Sequence, residues 1–90
     1  MQTTDSEICE YSAGELPILY LDRRGETVEV LQRVLRSQTL YNGQIDRIYG
    51  IKTRQGVIKF QRSSNLTVDG IVGPNTWKAL KENLSCPPNQ

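Results

Sequence analysis

Two carboxylates and two thiols are the residues of this chain whose types and spacing could do chemistry. Asp46 and Asp69 lie 23 residues apart in matching surroundings, and paired carboxylates can in principle divide acid and base roles. Cys9 and Cys86 stand near opposite ends of the 90 residues. There is no histidine, which excludes a Ser-His-Asp triad, a Cys-His pair and an imidazole metal ligand. Two cysteines cannot build a four-thiolate zinc site. Neither a metal nor a cofactor is expected.

The surroundings of the two aspartates argue for a structural role. Asp46-x-Ile48-x-Gly50-x-x-Thr53 repeats as Asp69-x-Ile71-x-Gly73-x-x-Thr76. A second match, Val28-x-x-Leu31-Gln32-Arg33 with Val57-x-x-Phe60-Gln61-Arg62, links the helical segments that precede the two loops. An Asp in such a loop accepts backbone N–H bonds within its own turn. The Ile is expected to fill the gap between helix ends. The Gly supplies an unusual backbone angle before the helix, and the Thr hydroxyl is expected to satisfy an open donor of the first turn. Gln32 and Gln61 close matching segments and are expected to satisfy backbone groups.

These motifs must be carried by helices. Val28, Leu31 and Leu35 fall at i, i+3 and i+7 from Glu26 onward, and Val30 and Val34 widen the stripe. A turn at Tyr41-Asn42-Gly43 follows a helix end near Gln38. A second helix is predicted over 51–63, with Val57 and Phe60 inward and Gly56 marking the close approach of another helix. A third starts at Pro74, a residue suited to the first helical position, and places Trp77, Leu80 and Leu84 on one face. Trp77 heads that stripe and reads as core. The apolar stretch 16–21 is expected to lie extended across it. The expected fold class is all-α, a compact three-helix bundle with two similar interhelix loops. Residues 1–16 read as an acidic arm, 17–84 as the folded domain and 85–90 as a tail.

Composition fits a single small domain. The net charge is +1, but Asp5, Glu7, Glu10, Glu15 and Asp22 precede the first base, giving residues 1–22 a charge of −5 and residues 23–90 a charge of +6. A positive body suits an anionic polymer, although its bases are dispersed as on any solvated helix surface. No run approaches the roughly 20 apolar residues of a membrane helix, and the polar, acidic start is unlike a signal peptide.

The span from Leu21 to Leu80 resembles the bacterial peptidoglycan-binding domain of the three-helix type. Gly25-x-x-Val28-x-x-Leu31-Gln32 fits its first helix, and Tyr41-x-Gly43-x-Ile45-Asp46 with Tyr49-Gly50 and Thr53 fits its first loop. Gly56-Val57-x-x-Phe60-Gln61 fits the second helix, and Val68-Asp69-Gly70-x-Val72-Gly73-Pro74-x-Thr76-Trp77 fits the closing segment in full. Three positions depart from the pattern: Arg47 replaces Gly, Ile51 replaces Pro and Gly56 replaces Ala. Arg47 implies a first loop that need not take a glycine-only angle at that point.

The resemblance implies a non-catalytic module that holds a fused or associated protein, such as a cell-wall hydrolase, on peptidoglycan. The expected setting is extracellular, periplasmic or wall-associated, with any leader absent from this chain, or a phage lysin. The expected partner is the glycan or the peptide stem, bound by a monomer, with no membrane and no nucleic acid involved. Aromatic rings pack on sugars and arginine forks grip carboxylates. Tyr41, Arg47, Tyr49, Arg54 and Arg62 supply those types and form the expected ligand-binding set, in a shallow groove between helix one, the first loop and helix two. Cys9 and Cys86 flank the domain: in an oxidising envelope they would pair, worth roughly 4 kcal/mol in the chain-entropy view, and in a reducing cytosol they would remain thiols. Two rival readings are a protein-interaction module that keeps the fold without wall binding, and a small DNA-binding helical domain.

Overall fold

The computed structural model describes Cys9 and residues 12–84. Among these are three α-helices, α1 (Glu26–Ser37), α2 (Ile51–Ser63) and α3 (Pro74–Asn83), preceded by a 3₁₀ turn at Ala13–Glu15. Strand pairing among the described residues is limited to two isolated antiparallel bridges, Leu19 with Val72 and Arg24 with Ile48. The architecture is the expected all-α bundle of three helices.

The apolar spacing of each helix becomes its inner face. Val28, Leu31, Val34 and Leu35 of α1 are buried, as are Val57 and Phe60 of α2 and Trp77 and Leu80 of α3. Fully burying one such side chain contributes roughly 1.5–3 kcal/mol. Trp77 is completely enclosed, and its indole N–H donates to the Pro17 carbonyl at 2.8 Å. The core is thus tied to the segment ahead of α1.

That segment runs across both interhelix loops. Leu19 exchanges backbone hydrogen bonds with Val72 at 3.0 and 2.8 Å. A few residues on, the Asp22 N–H donates to the Tyr49 carbonyl, the Tyr49 N–H to the Arg23 carbonyl and the Gly25 N–H to the Arg47 carbonyl. The expected extended stretch is therefore the strap that holds the two copies of the loop together. Ahead of it, the Ser12 N–H donates to Glu15 Oε1 at 2.8 Å, and the 3₁₀ turn packs against α3. This turn lies just ahead of residue 17, the expected start of the folded domain.

α1 and α2 stop in the same way. Thr39 and Asn65 take left-handed angles, φ 60° and 59°. The next residue then donates back to the carbonyl five positions earlier, Leu40 to Leu35 at 2.8 Å and Leu66 to Gln61 at 2.9 Å. This is a Schellman ending, which satisfies the open carbonyls of the last turn. It usually places glycine at the left-handed position, so Thr39 and Asn65 hid it from the sequence.

Two expectations about the loops are corrected. The residues that enter the core are Tyr49 and Val72, both fully buried, whereas Ile71 is 40% exposed and Ile48 is half-buried. Alternation along the extended bridge turns each isoleucine away from the face its successor occupies. Gly56 does mark a close approach, but chiefly to the chain leaving α1: a Cβ there would sit 2.7 Å from the Leu40 carbonyl oxygen and 3.3 Å from Leu35 Cδ1.

Candidate binding surface

Each copy of the repeat is organised by one buried glutamine. Gln61 Nε2 lies 3.0 Å from Asp69 Oδ1, 2.9 Å from the Ile71 carbonyl and 3.1 Å from Thr76 Oγ1. Its Oε1 accepts from the Asp69 and Gly70 N–H groups at 3.2 and 3.0 Å. Gln32 repeats the pattern with Asp46 Oδ1 at 2.9 Å, the Ile48 carbonyl at 3.0 Å and Thr53 Oγ1 at 3.0 Å, and accepts from the Arg47 N–H at 3.1 Å. Both amides are completely buried. Buried polar groups must find such partners, which explains why Asp, Thr and Gln recur together.

The aspartates do what their sequence context implies. Asp46 and Asp69 accept the Ile48 and Ile71 N–H bonds within their own turns, at 3.0 and 2.9 Å. The Gln32 amide, and then the Ile48 N–H, hold the Asp46 carboxyl below the usual carboxylate range. The threonines differ from expectation. Their hydroxyls receive the glutamine amides, while Gly50 and Gly73 occupy the N-cap positions of α2 and α3 with no side-chain cap.

Arg47 also differs. It occupies the left-handed region at φ 65°, the geometry Gly70 holds at 71° in the second copy. The first loop keeps the glycine angle after all, because the Arg47 N–H must point at Gln32 Oε1. Its guanidinium pairs with Glu29 at 2.7 Å, and Arg33 grips the other oxygen of the same carboxylate at 2.9 Å. These two arginines hold the Glu29 carboxyl below its ordinary range.

The expected ligand-binding residues are scattered by the fold. Tyr49 is completely buried, its hydroxyl donates to the Gly70 carbonyl at 2.5 Å, and burial pushes its pKa up. It supports the second loop from beneath and presents no ring face to solvent. Tyr41 is 7% exposed and its hydroxyl donates to the Gln44 carbonyl. Arg54 lies across Gly70, so close that a Cβ there would meet its Nε at 2.9 Å. Arg62 is exposed on the last turn of α2, eight residues or about 12 Å of helix from Arg54.

A concavity does exist between the first loop and α2. It measures about 420 Å³ and is lined by Tyr41, Gln44, Asp46, Ile48, Lys52 and their neighbours. Of the expected set only Tyr41 reaches it. Gln44, Asp46 and Lys52 are its exposed polar groups, and only position beside the loop motif could have pointed to Gln44 and Lys52. Cys9 is buried and is not a free thiol. Cys86 lies outside the described residues.

Comparison with known proteins places the chain in a family. Residues 24–80 match the family described as "Putative peptidoglycan binding domain", and the chain belongs to it. It is 42% identical over 80 residues to an uncharacterized protein in the bpoA1 3' region of Kitasatospora aureofaciens, covering 87% of this chain and 67% of that protein. It is 36% identical over 56 residues to the N-acetylmuramoyl-L-alanine amidase CwlM of Mycobacterium tuberculosis, covering 62% of this chain but 14% of the amidase. Among solved structures, the SleB N-terminal domain superposes with a TM-score of 0.74 at 29% identity, covering 76% of this chain and 93% of that one.

Proposed function

We propose that the chain is a non-catalytic module that holds a fused or associated protein, such as a wall hydrolase, on peptidoglycan. Family membership over residues 24–80 carries this reading. Such a module matches one-seventh of an amidase, as a tether would: binding the wall raises the local concentration of whatever is linked to it. The non-enzymatic reading is supported by the engagement of Asp46 and Asp69 with glutamine amides and backbone donors. A wall-associated, extracellular or periplasmic setting follows.

The proposed ligand-facing residues are Arg47, Arg54 and Arg62, with Tyr41 at the rim and Tyr49 as support. The proposed disulfide joins Cys9 to Cys86, the only other cysteine in the sequence, and is supported by the absence of a free thiol at Cys9. Titrating thiols in the unreduced protein should find none.

Co-sedimentation with purified sacculi is the direct test of function, with a nucleic-acid control beside it. Retention on sacculi alone is expected. Retention on nucleic acid alone would favour the DNA-binding reading. A protein-interaction module is the second reading, favoured by the outward apolar side chains Ile18, Tyr20 and Ile71, which are 40–49% exposed beside the Leu19–Val72 bridge. It would show retention on neither.

A further inference from the structure

The two copies of the repeat part company at one contact. At the offset of 23 residues Gly56 corresponds to Ala79, and the matching helix endings pair Leu40 with Leu66. In the first copy the missing Cβ lets α2 close onto the Leu40 carbonyl. In the second copy Ala79 carries that Cβ, and a groove of about 640 Å³ lies between the end of α2 and α3.

The groove is polar. Ser64, Asn65, Asn75, Lys78, Glu82 and Asn83 stand around it. Asn83 donates to Gln38 Oε1 at 3.3 Å. The side chains of the other five have no hydrogen-bond or ion-pair partner among the described residues. The first-copy pocket is different, because its Tyr41, Asp46 and Thr53 are engaged by Gln32.

Lys78 and Glu82 are the charged members, one helical turn apart. Residues so spaced have Cβ atoms roughly 5–6 Å apart, and a Lys that precedes a Glu is the weaker order for an intrahelical pair. The favoured order occurs in α1, where Glu29 and Arg33 close to 2.9 Å. Lys78 and Glu82 leave an ammonium and a carboxylate side by side on the groove wall. Their complement is a group bearing a carboxylate and an ammonium on one carbon.

We propose that this groove binds a zwitterionic α-amino-acid group, with its carboxylate on Lys78 and its ammonium on Glu82. The serine and asparagine side chains take the remaining hydrogen bonds. Such a group is found on a free amino acid and on the uncrosslinked end of a diamino acid in a peptide stem. The stem as source rests on the peptidoglycan-binding reading above.

The test follows backbone amide signals of the full chain by NMR during titration with three probes. These are a stem peptide containing meso-diaminopimelate, the same peptide with L-lysine in its place, and free meso-diaminopimelate. The first should shift Ser64, Asn65 and Lys78, and the lysine peptide, which lacks the second carboxylate, should bind roughly fivefold more weakly. Lys78→Met and Glu82→Gln should each weaken the first probe roughly fivefold. The exchange Lys78→Glu with Glu82→Lys restores the favoured helix order and should also weaken it. Tighter binding of the peptide than of the free amino acid identifies the stem as the source, and the reverse identifies the amino acid. Equal binding of the two peptides, indifference to the variants, or shifts centred on the first loop would overturn the proposal. Sacculus co-sedimentation separates the two readings: wall binding without groove shifts sinks the groove alone, and groove shifts without wall binding sink the wall reading alone.

Discussion

Gln61 reaches five polar atoms at once, two of them backbone N–H groups with no other partner in the loop. A methionine would fill the same volume and answer none of them. Leaving buried donors unanswered costs about 1–3 kcal/mol each, so Gln61→Met should destabilise the chain by about 3 kcal/mol, read from the midpoint of urea unfolding. Asp46 makes a prediction about acid. Its carboxyl is held below the ordinary value by Gln32 and the Ile48 N–H. The stability it contributes is complete above the unfolded value of about 3.9 and is lost as pH falls through the lower folded value. Thermal melts between pH 5 and pH 2 should therefore decline less steeply for Asp46→Asn than for the parent chain, and an unchanged slope would refute the assignment.

At the scale of elements, two positions report how closely the pieces are packed. Alanine at 56 would improve helix propensity by about 1 kcal/mol. It would also drive a Cβ to 2.7 Å from the Leu40 carbonyl, a backbone atom that cannot swing aside. Overpacking of this kind costs about 1–3 kcal/mol, so Gly56→Ala should be destabilising in chemical denaturation although alanine is the family's usual residue there. Arg47 sits at φ 65°, where a Cβ costs roughly 1–2 kcal/mol. Arg47→Gly and Arg47→Ala both remove the Glu29 contact, so their difference isolates the backbone. The glycine variant should be the more stable by about 1 kcal/mol.

At the scale of the molecule, the family match begins at residue 24 but the folded unit does not. Leu19 is buried and paired with Val72, Pro17 receives the Trp77 indole, and Asp22 and Arg23 bond to Tyr49. A chain beginning at Arg24 would open the core along one side and strand the buried indole N–H. It should lose its cooperative thermal transition by circular dichroism, whereas a chain beginning at Ser12 should keep it. A chain beginning at Ser12 also lacks Cys9, so its melting temperature relative to the full chain measures what the proposed disulfide adds.

The sequence by itself determined the three helices, the doubled loop and the family. Those are written in local periodicity, in Pro74, and in a ten-residue closing motif whose spacing few other folds would need. It also disclosed that Gln32 and Gln61 serve backbone groups, because a polar residue in an apolar stripe must be satisfied. The candidate site was less legible. Tyr41, Tyr49 and the arginines have the right chemistry, but residue type does not say which side of a loop a side chain takes. Burial of Tyr49, the left-handed angle of Arg47 and the crossing of Arg54 over Gly70 follow from how the strap at residues 19–25 pulls both loops onto the helices. That geometry is non-local, linking residues up to 60 apart, and only the tertiary structure could decide it.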